Sequence, residues 1–97
     1  SRMRKMRGIR LSYEQQGLVY FTCRNFSIQP RPVQDKILRL CVECGGEHET
    51  ALFLLLTTAQ AVQALCQQYH VSPSVLYSRR KRFYERWFAE PVCAGGL

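Results

Sequence analysis

Ser72–Pro73 falls between two stretches whose apolar residues each recur at the period of an α-helix, and this punctuation constrains the fold more than any other feature of the chain. Upstream, Val62, Leu65, Cys66 and Tyr69 stand at i, i+3, i+4 and i+7, one apolar stripe on a short helix. Thr57, with Gln60 three residues on, offers a capping box that would start it near residue 59. Downstream, Leu76, Phe83 and Trp87 lie within about 40° of one another at about 100° per residue, a core stripe on a longer helix. Ser72 is a good N-cap. Pro73 suits the first helical position, where its missing N–H costs nothing. Two helices joined by a turn are therefore predicted over about residues 59–88.

The rest of the chain is divided by similar signals. Ser12 with Gln15 matches a capping box and predicts a helix from about Tyr13 to Asn25. A strand competes there, because Leu18 to Cys23 is rich in Val19, Tyr20, Phe21 and Thr22. The run Gln29, Pro30, Arg31, Pro32 breaks the chain, and Pro32 or Val33 can open the next helix. Val33, Ile37, Leu40, Cys41 and Cys44 then recur at helical spacing until Gly45 and Gly46 end it. A short, strongly apolar third helix is expected over about Glu49 to Leu56, in the centre of the core. The whole reads as all-α, with about five helices, and the 97 residues suffice for one modest core. Residues 11–90 form the expected single domain, with a basic flexible arm over 1–10 and a disordered tail over 91–97.

Charge is concentrated at the two ends. Arg2, Arg4, Lys5, Arg7 and Arg10 occur without an acid in the first ten residues. The middle, 11–78, sets Arg24, Arg31, Lys36 and Arg39 against Glu14, Asp35, Glu43, Glu47 and Glu49. Beyond it, Arg79, Arg80, Lys81, Arg82 and Arg86 face only Glu85 and Glu90. The net charge of +7 thus comes entirely from the ends, and two basic clusters suit a polyanion, nucleic acid ahead of an anionic membrane surface. A membrane-spanning segment is not expected, since the apolar run Ala51 to Leu56 is far short of the ~18 to 20 residues required. No apolar stretch follows the basic start as it would in a secretory signal, so the expected location is cytoplasmic. Five cysteines, an odd number, fit reduced thiols better than a disulfide framework.

Opposite the core stripe of the last helix lie Ser74, Ser78 and Lys81, flanked by Tyr77 and Arg82. Such a polar, basic and partly aromatic face can reach base edges, while Arg79 and Arg86 at one margin reach phosphates. Arg80 lies nearer the core stripe, with its stem part-buried and its head turned outward. The stretch from Leu65 to Arg80 resembles the helix-turn-helix of bacterial transposases and of phage or plasmid regulators. Cys66 supplies that family's small residue at the helix crossing, Val71 and Ser72 its apolar turn residue followed by Ser, and Leu76 its aliphatic residue in the second helix. His70 departs from the usual Gly, which would strain a left-handed backbone, and Arg79 departs from an apolar residue and must snorkel.

The resemblance implies sequence-specific binding of double-stranded DNA, by a transcriptional regulator or a mobile-element protein. The DNA-contacting set it suggests is Ser72, Ser74, Tyr77, Ser78, Arg79, Arg80, Lys81, Arg82 and Arg86, with Arg4, Lys5 and Arg7 from the N-terminal arm. That arm reads either as a solubilising tail or as one that follows the phosphate backbone or enters the minor groove. The first helices would be a scaffold and a surface on which a homodimer could form. The rival function is a non-enzymatic interaction module whose basic C-terminal helix binds an acidic protein.

Cys41 and Cys44, before Gly45, Gly46 and His48, have the form of half a zinc knuckle, and Cys66 with His70 could form the other half. Against this, Cys41 continues the apolar stripe of its own helix, and a buried cysteine behaves as a small hydrophobe. A redox role for the C-x-x-C would need a preceding strand, and none is visible. No metal or other cofactor and no small-molecule substrate is expected. The two histidines, Cys23 and Cys93 form no nucleophile–base signature, and Glu47 and Glu49 read as exposed charge, so no enzymatic activity is expected.

Overall fold

Ser12 begins the first helix as its spacing predicts. In the computed structural model, which describes residues 3–89, its Oγ accepts the Gln15 N–H at 3.0 Å and the Gln15 side chain accepts the Ser12 N–H at 3.0 Å. Helix α1 spans Tyr13–Arg24, which decides against a strand over 18–23. Gln16, Val19 and Cys23 repeat at helical spacing, and all three are buried. Helix α2, Arg31–Gly45, starts after Pro30 with Pro32 in its first turn and buries Ile37, Leu40, Cys41 and Cys44. It ends where Gly46 takes a positive φ of 57°, a backbone that a side chain would strain. Short 3₁₀ turns, Phe26–Ile28 and Gly46–His48, join these helices to their successors.

Helix α3, Glu49–Thr57, buries Ala51, Leu52 and Leu56 and packs against α1, α2, α4 and α5, so it is the central element of the core. Its end differs from expectation. Thr57 does not cap the next helix: its hydroxyl donates back to the Phe53 carbonyl at 2.7 Å, and that of Thr58 to Leu54 at 2.5 Å. Both hydroxyls serve the C-terminus of α3, and α4 (Val62–Tyr69) starts from Ala61 with no side-chain cap. The turn at residues 70–72 leads into α5, Pro73–Ala89, whose inner face buries Leu76, Phe83, Tyr84 and Trp87. Lys36 of α2 secures the far end of α5: its Nζ sits 3.9 Å from the Trp87 ring centroid and donates to the Trp87 carbonyl at 3.0 Å.

The described residues are all helix, turn and coil, with no strand. No helix among them is long and apolar enough to cross a membrane. The expected tail at 91–97, Cys93 included, lies outside the described residues.

The N-terminal segment departs most from expectation. Residues 3–11 do not extend away as a free arm but lie packed on the helices, with Met3 6% and Ile9 9% exposed. Met6 and Leu11 pack against the same core. A turn at Arg7–Gly8, where Gly8 has φ 79°, folds the segment back toward α1. Gln16 of α1 is fully buried and holds it from below. Its Oε1 accepts the Met6 N–H at 2.7 Å, and its Nε2 donates to the carbonyls of Met6 at 3.3 Å and Leu11 at 3.2 Å. Glu85 of α5 holds the segment from above, accepting the Arg10 N–H at 3.0 Å.

Candidate functional site

The turn between α4 and α5 is built by local chemistry. His70 takes a left-handed backbone, φ 56° and ψ 49°, and the N–H groups of His70 and Val71 both return to the Cys66 carbonyl. This closes the C-terminus of α4 much as a glycine would, at some steric cost for a residue with a Cβ. Val71 is buried and anchors the turn to the core beside half-buried Cys66. Ser72 then starts α5: its Oγ accepts the Val75 N–H at 3.3 Å and lies 3.3 Å from the Ser74 Oγ.

α5 leaves this turn with a polar outer face. Ser74, Tyr77, Ser78, Lys81 and Arg82 are exposed there, while Leu76, Phe83 and Trp87 are buried on the side facing the other helices. Arg79 and Arg80 are half-buried, and the Nε of each is buried without a hydrogen-bond partner among the described residues. The Arg80 guanidinium lies 4.9 Å from the centroid of the Tyr77 ring, a cation–π contact. Burial lowers its pKa below the ordinary arginine value.

The docked N-terminal segment changes the site. Arg7, with Met6 and Ile9, faces Ser74, Tyr77, Ser78, Arg80 and Lys81 across an open groove of about 480 Å³. Arg4 and Met3 line a second hollow with Arg80 and Tyr84. The two basic ends of the sequence therefore meet along one flank of α5. Arg4, Lys5 and Arg7 are all exposed on the segment. The other flank faces α2. There Arg86, expected to be open to phosphate, instead donates to Glu43 at 2.7 Å, and this hydrogen bond holds the Glu43 carboxyl below its ordinary range. Its guanidinium is engaged because α2 presents a carboxylate one helix away. The charges of Arg82 and Arg86 both reach Cys44 on α2, opposing the burial that raises its thiol pKa.

The chain matches no family model, no curated protein and no solved structure. Its site therefore stands on its own geometry. Cys41 and Cys44 belong to the core, and burial pushes the Cys41 thiol up to about 12. Among the described residues no three His, Cys, Asp or Glu side chains gather as metal ligands.

Four contributors escape a reading of the sequence alone: Gln16, Glu85, Tyr84 and the apolar residues of the N-terminal segment. Two of them leave a signal. Gln16 is a polar residue in register with Val19 and Cys23, at a position where a helix buries its side chain. Met3, Met6 and Ile9 recur every third residue between the arginines, a pattern a free arm has no use for. Tyr84 lies about 80° around α5 from Leu76, at the edge of the stripe. Glu85 carries no such mark, since its partner is a backbone N–H distant in sequence.

Proposed function

We propose that this chain binds double-stranded DNA sequence-specifically, with α4, the left-handed turn and α5 acting as a helix-turn-helix and α5 as its reading helix. The observation that carries the reading is the outer face of α5, where Ser74, Tyr77, Ser78, Lys81 and Arg82 stand exposed beside a segment bearing Arg4, Lys5 and Arg7. The spacing of these groups suits a division of labour. Lys81 and Arg82 can meet base edges in the major groove, and the cations of the docked segment and Arg79 can meet phosphates. Glu85, the acid on the same face, is occupied by the Arg10 N–H. The role that fits is a regulator of transcription or a DNA-binding protein of a mobile element, acting in the cytoplasm and needing no cofactor.

Selection of bound sites from random duplexes tests this directly. A defined motif should emerge, and its affinity should fall with salt at a slope of roughly −3.5 to −5.5, as about four to six cations displacing counterions require. If no sequence is enriched and no duplex binds, the reading is wrong, and a basic surface for an acidic protein takes its place.

A further inference from the structure

We propose that the groove between the N-terminal segment and α5 is a phosphate site anchored by Arg80, and, resting on the DNA reading above, that it seats a phosphate of the duplex backbone. Arg79 and Arg80 each bury an Nε without a partner among the described residues, and Arg80 is the one that borders both hollows beside the N-terminal segment. A guanidinium withdrawn this far from water normally faces a carboxylate, and here no acid lines either hollow that it borders. Its Nε has no hydrogen-bond partner among the described residues. The Tyr77 ring lies 4.9 Å from its guanidinium carbon, a cation–π contact that restrains the head before any ligand arrives.

The remaining groups of the groove are those a tetrahedral oxyanion uses. Arg7 brings a second cation, and Ser74, Ser78 and Tyr77 bring hydroxyl donors. Met6 and Ile9 form the apolar part of the wall and keep the segment in place. A planar carboxylate would satisfy one fork. Two cations with three hydroxyls match the several oxygens and higher charge of a phosphoryl group better. The site also needs both parts of the protein, since Arg7 stands opposite Arg80 only while the segment is docked. Arg80 then holds the backbone and contributes affinity, while Lys81 and Arg82 on the outer face of α5 select sequence.

The test uses the full chain in two arms. Inorganic phosphate is titrated into isotope-labelled protein at constant ionic strength, with chloride as the control, and the Arg80 Nε–H and the amides of Met6, Arg7, Tyr77 and Ser78 are followed by NMR. Saturable shifts confined to the groove are expected with phosphate and not with chloride, and they should weaken in Arg7→Gln. Absence of a phosphate-specific response overturns the site, whether or not duplex binds. In the second arm, Arg7→Gln and Arg80→Gln are titrated with the selected duplex. Each should lower the salt slope by about one and weaken selected and random DNA alike. Arg7 is exposed, so that variant remains informative if Arg80→Gln fails to fold. Phosphate binding in a protein that binds no duplex would leave the site standing, with a free phosphorylated ligand as its source, and would remove the DNA reading. Duplex binding whose slope is unchanged in both folded variants overturns the site alone.

Discussion

Replacing Gln16 with Leu should release the N-terminal segment while leaving the helices folded. The side chain is fully buried and makes three hydrogen bonds, to the Met6 N–H, the Met6 carbonyl and the Leu11 carbonyl. Each bond contributes a net of about 1 kcal/mol, and a buried N–H left without an acceptor costs about 1 to 3 kcal/mol. Leu keeps nearly the same volume, so no cavity of consequence opens. The docked state should therefore lose about 2 to 4 kcal/mol. The segment has an escape that a core residue lacks, because it can swing into water and satisfy its backbone there. Global stability then falls by no more than the free energy of docking, and the remainder appears as local opening. A loss of about 2 kcal/mol raises the undocked population roughly 30-fold. Trypsin reads this directly, since Arg4, Lys5, Arg7 and Arg10 all lie in the segment. Cleavage there should accelerate by about that factor, the Met6 amide should lose its protection from exchange, and the helical circular dichroism should stay. If cleavage and Met6 exchange are unchanged in Gln16→Leu, Gln16 does not hold the segment, and the composite surface beside α5 loses its support.

Three further outcomes follow from single residues. His70→Gly should raise stability by about 1 kcal/mol, roughly 4 to 8 °C in Tm, because glycine adopts the left-handed turn without a Cβ clash; a lower Tm would mean that the turn does not have this backbone. The folded-state pKa of Glu43 is depressed by Arg86, so their pairing contributes stability above the ordinary carboxylate value of about 4.3 and loses it as pH falls through the lowered one. Acid denaturation curves of the wild type and of Glu43→Gln should accordingly draw together as pH falls from about 4.3 through the lowered value, and curves that stay equally separated at all pH values would refute the pairing. Lys81→Ala and Arg82→Ala should each reduce preference for the selected duplex over random DNA, by about 1 to 3 kcal/mol where the side chain meets a guanine, with folding intact. An unchanged ratio in both would show that α5 does not read bases.

The helices and most of their ends were legible because the signals that set them are local. The Ser12–Gln15 box, the Pro30–Pro32 break, Gly46 and the Ser72–Pro73 pair each act within one turn of backbone, and a short stretch of chain carries all the information. Thr57 misled for an equally local reason. A threonine three residues before a glutamine can cap the following helix or bond back to its own, and the apolar run from Ala51 onward keeps the preceding helix going through Thr57. The left-handed turn was visible as a histidine standing where glycine is usual, and the backbone there has that conformation. The site was less legible. Which face of α5 points outward follows from its periodicity, but the partners of its charges do not. The sequence places Arg86 open to phosphate, but α2 brings Glu43 to it; it places the Arg80 stem part-buried beside the core stripe, but not the Tyr84 and N-terminal residues that border it.

Docking also changes what the N-terminal arginines can contribute. A free arm can thread into a minor groove but loses the conformational freedom of every residue it orders there. Here that ordering has largely taken place before any ligand arrives, through Gln16 below, Glu85 above and the apolar side chains between them. The reach of an arm is lost in return: Met3, Met6 and Ile9 hold Arg4 and Arg7 along one flank of α5. On that flank, under the proposed reading, they would follow the backbone of the groove assigned to α5. The affinity they add should thus be independent of base sequence and sensitive to salt. It should disappear together with the segment's protection in Gln16→Leu, even though that substitution touches no cation. A Gln16→Leu protein that kept full duplex affinity with its segment released would show that the arginines act as a free arm after all.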